Sequence, residues 1–157
     1  MGAVDSLNLF DLDELIIFSF YHANRNRYKK AVDIGANIGL HSILMCKCGF
    51  DVRSYEPDPQ HFSQVQKNLE LNHCGNVDAH NAAVSGTVGE MVFVRVEGNT
   101  TGSHLAGSKP NPYGELKRFP VRVESIGSIT SWQVDQMLNS YRDGTLFASC
   151  EKEIPWD

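Results

Sequence analysis

Cysteine is scarce in this chain, and the few cysteines present are not spaced for a metal site or a disulfide framework. The 157 residues include four cysteines, and no two of them form a Cys-x-x-Cys pair. The six histidines are scattered, and no carboxylate accompanies them at ligand spacing. The composition therefore predicts no metal centre, and it predicts reduced thiols in a reducing compartment such as the cytoplasm.

Excess positive charge and long hydrophobic runs are also missing. A net charge of -5 disfavours a nucleic-acid partner held by bulk charge. The apolar run at 15–20 is too short to span a membrane, so stable membrane insertion is not expected. The opening Met1-Gly2-Ala3-Val4-Asp5-Ser6 fits the loose N-myristoylation pattern, but one acyl chain would anchor a protein only weakly.

What is present is an alternation of strand-like and helix-like segments. Short apolar runs predict strands, and apolar residues at helical spacing predict helices. Asp58 and Pro59 are suited to begin a helix, and Gly49 is suited to end one. The predicted order is a helix at 12–21 capped by Asp11, a strand at 30–34, a helix at 40–48, a strand at 51–56, a helix from 58 to about 72, and a strand at 77–84. This β-α-β-α-β order implies an α/β fold with a parallel sheet and right-handed crossovers.

The pattern changes after Ser85. Alternating apolar residues at 90–97 and 119–124 predict a β-hairpin, and the polar segment 98–114 between them predicts a long mobile loop. A helix at 132–141 and a strand at 145–150 are expected near the end. We interpret 1–157 as one domain, with an N-terminal helical segment at 1–30, a core and hairpin at 31–124, and a divergent segment at 125–157.

The stretch from Asp33 to Gly39 is the strongest functional signal. It joins the end of a predicted strand to the start of a predicted helix, which is where parallel sheets bind their ligands. Gly35 and Gly39 lack a Cβ, and Asn37 tolerates a left-handed backbone, so the turn can be sharp and a ligand can approach it. Glu56 ends the next strand and can accept hydrogen bonds from both hydroxyls of a ribose. The sequence therefore predicts a nucleoside cofactor.

The glycine spacing separates two classes of such cofactor. A dinucleotide site requires Gly-x-Gly-x-x-Gly, because a pyrophosphate must approach two glycines at once. Here Ala36 and Asn37 stand between Gly35 and Gly39, so the middle glycine is missing. S-adenosylmethionine carries no phosphate. The Asp33 carboxylate can interact with its ammonium group, whereas the same carboxylate would repel a phosphate. We therefore expect S-adenosyl-L-methionine as the cofactor, with an NAD-dependent oxidoreductase as the rival hypothesis.

Several motifs together resemble the FkbM-type S-adenosylmethionine-dependent methyltransferases. The similar segments, in order, are VDIGANIGLHS at 32–42, YEPDP at 55–59, NLELN at 68–72, NAAVS at 81–85 and Gly89-Glu90, followed by the Gly102-Ser103 loop. The similarity runs from about Ala31 to Val123.

This resemblance implies a Rossmann-like class I methyltransferase sheet, extended by the hairpin, and methyl transfer to a hydroxyl oxygen of a small molecule or sugar. It also assigns a cofactor-binding role to ten residues. The turn residues Asp33, Gly35, Ala36, Asn37 and Gly39 would hold the methionine part, Glu56 the ribose, Pro57 and Asp58 the faces of the adenine, and Asn81 and Ala82 its edge.

The chain departs from the family pattern near its end. The family leads us to expect a strand ending in a motif like Lys-Ile-Asp-Val-Glu-Gly, whereas residues 146–153 are LFASCEKE. The chain is then either a fragment or a product with a diverged final segment. The alternative function is a truncated, catalytically inactive methyltransferase-like protein that acts as a cofactor-binding or interaction module. An unpaired sheet edge in such a protein would favour self-association.

No residue pair identifies the base that would take the proton of a hydroxyl acceptor. His104, in the polar loop, and Glu151, near the end, are the candidates for acceptor-side chemistry. His41 and His80 fit packing roles better, and His61, at the start of a predicted helix, is expected at the surface. The catalytic residues and the identity of the acceptor therefore stay open.

Overall fold

The computed structural model describes residues 12–98, 102–110, 114–129 and 144–149, with the side chains of residue 13 and of 144–149 left aside. Besides a short helical segment at 126–129, this part of the chain contains three helices and eight strands. They are α1 (Leu12–Asn24), β1 (Tyr28–Ile34), α2 (Leu40–Lys47), β2 (Asp51–Tyr55), α3 (Pro59–Leu71), β3 (Val77–His80), β4 (Ala83–Ser85), β5 (Gly89–Val96), β6 (His104–Leu105), β7 (Leu116–Ser125) and β8 (Gly144–Ser149).

Within the described residues, the main sheet contains four parallel strands in the order β3-β2-β1-β8. The chain moves outwards from β1 to β2 and β3, and it later returns to place β8 on the other side of β1. Strand order therefore reverses at β1, which makes its carboxyl end the point where such sheets bind ligands. The predicted α/β class with a Rossmann-like β-α-β-α-β core is confirmed by this topology.

Local signals explain the boundaries of the core helices. Asp58 caps α3 by accepting the N–H of Gln60 at 2.9 Å, and Pro59 occupies the first turn, as the sequence predicts. Gly49 follows α2 with a φ of 89°, a left-handed conformation that suits glycine after a helix. On α3, Val65 and Leu69 lie four residues apart on one face, are buried, and share a core cluster with Cys46 of α2.

The predicted strand at 77–84 is wrong as a single element. It breaks into β3, which belongs to the main sheet, and β4, which belongs to a second sheet. The break lies at Asn81 and Ala82, where the Ala82 N–H donates to the His80 carbonyl at 3.0 Å in a tight turn. The Asn81 amide holds this turn by donating to the Glu56 carbonyl at 2.8 Å. A side chain bonded to another segment thus ends the strand.

The second sheet has the order β4-β7-β5-β6. Strands β5 and β7 form the predicted antiparallel hairpin, which extends to the pair Val96 and Leu116. The segment predicted as a mobile loop contains β6, which pairs with β5, and the His104 side chain on β6 is only 2% exposed. Strand β8 confirms the strand expected near the end, whereas the cap Asp11, Glu151 and the helix at 132–141 lie outside the described residues.

Candidate functional site

The glycine turn takes left-handed backbone conformations at alternate positions. The φ angles are 79° at Gly35, 54° at Asn37 and 88° at Gly39. The N–H groups of Gly35 and Ala36 both donate to the carbonyl of Tyr55, at 2.9 and 3.0 Å. Glycine and asparagine are the residues that reach this region at least cost, which explains their placement here. The turn is therefore tied by its backbone to the carboxyl end of β2.

Gly39 has a packing role as well as a conformational one. A Cβ at this position would lie 3.4 Å from Cγ1 and 3.5 Å from Cα of Val65 on α3. The absent side chain lets the start of α2 approach α3 closely. Asn68 of α3 fastens the same corner by donating to the Ile38 carbonyl at 2.8 Å. The contact predicted between Gly39 and a cofactor stays a prediction beside this structural role.

Asp33 lies directly beneath the turn, with 1% of its surface exposed. The hydroxyl of Ser42, on the first turn of α2, donates to Asp33 Oδ2 at 2.5 Å, and it also lies 2.9 Å from the Ser54 hydroxyl. Burial raises the pKa of Asp33, while the Ser42 hydrogen bond and the nearby His41 oppose part of that shift. Ser42, which the sequence reasoning missed, therefore fixes the carboxylate under the ligand-binding edge.

Glu56 joins the turn to the next segment of the site. Its Oε2 accepts the N–H of Asn37 at 2.7 Å, and its Oε1 accepts the N–H of Asp58 at 2.9 Å. Burial raises the pKa of Glu56 to about 7, and the neighbouring Asp58 and Asp33 carboxylates add to the rise. The two N–H bonds lower the pKa and so oppose part of this shift. Each carboxylate oxygen keeps a second lone pair that can accept a hydroxyl hydrogen.

Asp58 is completely buried and is held from the second sheet. Arg95 of β5 donates from Nε to Oδ2 and from Nη2 to Oδ1, both at 2.5 Å. Burial alone would raise the pKa of Asp58, but the bonds from Arg95 and from the Gln60 N–H hold it below its ordinary value. No motif marks Arg95, because the pairing joins β5 to the start of α3 across 37 positions of sequence.

His61 lies between the two acidic side chains rather than on the open surface that its sequence position predicts. Its Nδ1 is 3.9 Å from both Glu56 Oε1 and Asp58 Oδ2, and its side chain is 16% exposed. Burial lowers its pKa, Asp58 opposes that shift, and Arg95 adds to it. A neutral imidazole is therefore favoured beside the Glu56 carboxylate.

The remaining predicted positions complete this edge of the sheet. The exposed Asn81 donates from Nδ2 to the carbonyls of Glu56 and Pro57, at 2.8 and 3.1 Å. Ala36 and Ala82 are buried in the core at 5% and 0% exposure, so their side chains pack inwards. The structure thus brings all ten predicted positions to one region around the ends of β1, β2 and β3, although it does not itself test their contact with a cofactor.

Three further histidines, His41, His80 and His104, make their contacts within the protein. The His41 ring lies 3.0 Å from the Tyr21 hydroxyl and 3.4 Å from Glu14, both on α1. His80 stacks on Tyr55 with ring centroids 4.8 Å apart. Buried His104, which the sequence offered as a candidate for acceptor-side chemistry, lies 3.0 Å from the Gly102 carbonyl, and its ring is not exposed to a ligand. Within the described ranges, no group of His, Cys, Asp or Glu could hold a metal ion, and no helix is long and apolar enough to cross a membrane.

Comparison with known proteins gives matches to solved structures only. No protein-family model matches the chain, and no curated protein matches it, so the FkbM-type resemblance stays a prediction. The chain is similar to the SAM-dependent methyltransferase from Agrobacterium tumefaciens, at 10% identity and a TM-score of 0.42, over 47% of this chain and 25% of that one. These values concern the fold alone.

Two further structures share parts of the fold. Precorrin-6y C5,15-methyltransferase from Geobacter metallireducens GS-15 matches at 20% identity and a TM-score of 0.37, over 43% of this chain and 38% of its own. The Pyrococcus abyssi tRNA (uracil-54, C5)-methyltransferase, in complex with S-adenosyl-L-homocysteine, matches at 22% identity and a TM-score of 0.32, over 42% and 17%. The chain therefore spans well under two thirds of the length of each of these proteins.

Proposed function

We propose that this protein binds S-adenosyl-L-methionine at the carboxyl edge of the main sheet and is an S-adenosylmethionine-dependent methyltransferase. The observation that carries the proposal is that three backbone N–H groups of the glycine turn donate to acceptors within the protein. The N–H groups of Gly35 and Ala36 are bonded to the Tyr55 carbonyl, and that of Asn37 is bonded to the Glu56 carboxylate. A pyrophosphate site needs such amides directed at the phosphates. These three are bonded within the protein.

Charge supports the same choice. Asp33 and Glu56 are buried acids beside the turn. Acids at this position disfavour a phosphate but suit a ligand that has a sulfonium and an ammonium group. The NAD-dependent alternative is therefore disfavoured both by the bonded amides and by the carboxylates.

Each residue has a definite task in the proposed site. Glu56 would accept the ribose hydroxyls through its remaining lone pairs, and the backbone from Pro57 to Asp58 and at Asn81 would border the adenine. Asp33 would act from beneath the turn on the ammonium group, held in place by Ser42. The cofactor supplies an electrophilic methyl group on sulfur, and the protein contributes mainly orientation. The proposed hydroxyl acceptor, on a small molecule or sugar, rests on the motif resemblance.

Calorimetry tests the cofactor directly. We expect S-adenosylhomocysteine to bind with micromolar affinity, Glu56→Ala to lose that binding, and NAD to give no competition. Glu70→Ala is the matched control, because Glu70 is an exposed acid on α3 and should leave binding unchanged. Absence of both heat and thermal shift with either S-adenosyl ligand would refute the proposal.

Transfer of labelled methyl groups to a panel of sugars and polyols tests the acceptor.

The second candidate is an inactive cofactor-binding or interaction module that self-associates. Strand β8 is one of the two edge strands of the main sheet in the described part of the chain, and its sequence is apolar from Leu146 to Ala148. Such an edge offers backbone groups to a second copy. Sedimentation analysis tests this candidate: a concentration-dependent dimer without turnover would support it, and a monomer with turnover would exclude it.

For either function, the free thiols Cys46, Cys48 and Cys74 are consistent with our proposal of a cytoplasmic location.

A further inference from the structure

Arg95 connects the hairpin sheet to the proposed cofactor site. It belongs to β5, where it pairs with Lys117 of β7, but its guanidinium reaches across to Asp58 at the start of α3. Its side chain is only 11% exposed, and it lies 5.0 Å from the ring centroid of Phe119. The guanidinium is therefore held on one side by an aromatic face and on the other by a carboxylate.

The contact with Asp58 is a two-bond fork. Nε and Nη2 of Arg95 each donate to a different oxygen, which fixes the plane of the Asp58 carboxylate as well as its position. Capping of α3 requires only one bond, from the Gln60 N–H to Asp58 Oδ1. The fork thus constrains Asp58 beyond what the helix cap needs.

The position of Asp58 also sets that of Glu56. The backbone N–H of Asp58 donates to Glu56 Oε1 at 2.9 Å, and this is one of the two backbone bonds that orient the Glu56 carboxylate. The other comes from Asn37 in the glycine turn. A continuous path of hydrogen bonds therefore runs from β5 through Arg95 and Asp58 to the acid proposed to bind the ribose.

We propose that Arg95 is a positioning residue of the nucleoside site, and that it sets the discrimination of Glu56 for a ribose carrying its 2′-hydroxyl. This inference rests on the proposed function of the site. A purely structural Arg95 would add to stability without changing which sugar is preferred. If Arg95 positions Glu56, replacing Arg95 changes the preference itself. The displaced Glu56 carboxylate then forms a weaker hydrogen bond to the 2′-hydroxyl, so less binding free energy is lost when that hydroxyl is missing.

The test compares two ligands with three variants. Calorimetry measures S-adenosylhomocysteine and its 2′-deoxyribose analogue on wild type, Arg95→Leu, Arg95→Lys and Val94→Ala. Wild type should prefer the ribose form by about tenfold or more, the worth of a hydrogen bond to a charged group. In Arg95→Leu the preference should fall to about twofold. Lysine keeps the charge but not the fork, so Arg95→Lys should give an intermediate value in a folded protein.

Val94→Ala is the matched control. Val94 is the neighbouring residue on β5, is 1% exposed, and points to the opposite face of the strand. Its truncation should lower the melting temperature while the ligand preference stays at the wild-type value. If folded Arg95→Leu or Arg95→Lys protein keeps the wild-type preference, this inference is wrong and the proposed function is unaffected. Wild-type protein with no affinity for either ligand would overturn the proposed function and this inference with it.

Discussion

Replacement of Glu56 by glutamine should change how the stability of the protein depends on pH. Glu56 is 5% exposed, and burial raises its pKa from 4.5 to about 7. In the unfolded chain the carboxyl group ionises near its ordinary value, so between these two values the folded state holds a proton that the unfolded state has released. The stability that comes from protonated Glu56 is therefore complete below pH 4.5 and is lost as the pH rises through 7.

The magnitude follows from the size of the shift. One pKa unit corresponds to about 1.4 kcal/mol, so the wild type should lose about 3 kcal/mol relative to Glu56→Gln between pH 4.5 and pH 8. Glutamine also replaces one acceptor by a donor opposite the N–H of Asn37 or Asp58. That loss costs about 1–2 kcal/mol but does not depend on pH, so it cancels when the two pH values are compared.

Urea unfolding at both pH values measures the effect. The free energy of unfolding is determined for wild type and Glu56→Gln, and the difference between the two proteins is compared at pH 4.5 and pH 8. Glu70→Gln serves as the control, because Glu70 is exposed on α3 and its replacement should give a difference that barely changes. A wild-type minus Glu56→Gln difference that stays constant within about 0.5 kcal/mol would show that Glu56 titrates normally, and the account of its burial would be wrong.

Three more predictions follow from single contacts. In the proposed site, ionised Glu56 would be the form that accepts the ribose hydroxyls, so its pKa of about 7 should make S-adenosylhomocysteine bind about tenfold more tightly at pH 8 than at pH 6 by calorimetry, and an unchanged affinity would contradict this. Gly39→Ala should destabilise the fold by about 1–3 kcal/mol in urea, because φ is 88° and the new Cβ would press on Val65. Cys46, whose pKa burial raises to about 12, should resist iodoacetamide in the native protein at pH 8, as followed by mass spectrometry.

The core elements could be predicted because their signals are local. Asp58 and Pro59 start a helix through bonds and angles within one turn, and Gly49 ends another in the same way. The glycine turn could be predicted for the same reason, because the positive φ angles at Gly35 and Gly39 depend mainly on the residue type at those positions. Such features need no knowledge of what lies across the fold.

The features that sequence reasoning missed depend on partners distant along the chain. The break after β3 depends on an Asn81 side chain that bonds to the Glu56 carbonyl. The burial of His104 depends on a short strand pairing with β5. Arg95 alternates along its strand like any half-buried residue, and only the packing of the two sheets brings it to Asp58. In each case a tertiary contact overrides the local pattern.

The choice between cofactors shows why both kinds of information are needed. A missing middle glycine disfavours a pyrophosphate, but a turn with free amides could still bind an anion. The bond from the Asn37 N–H to Glu56 and the pair of bonds from Gly35 and Ala36 to the Tyr55 carbonyl disfavour that possibility for these three amides. Because buried backbone donors are nearly always paired, donors already bonded within the protein are not free for a phosphate. The end of β2, through these bonds, therefore supports the ligand class that we propose for a turn that begins at β1.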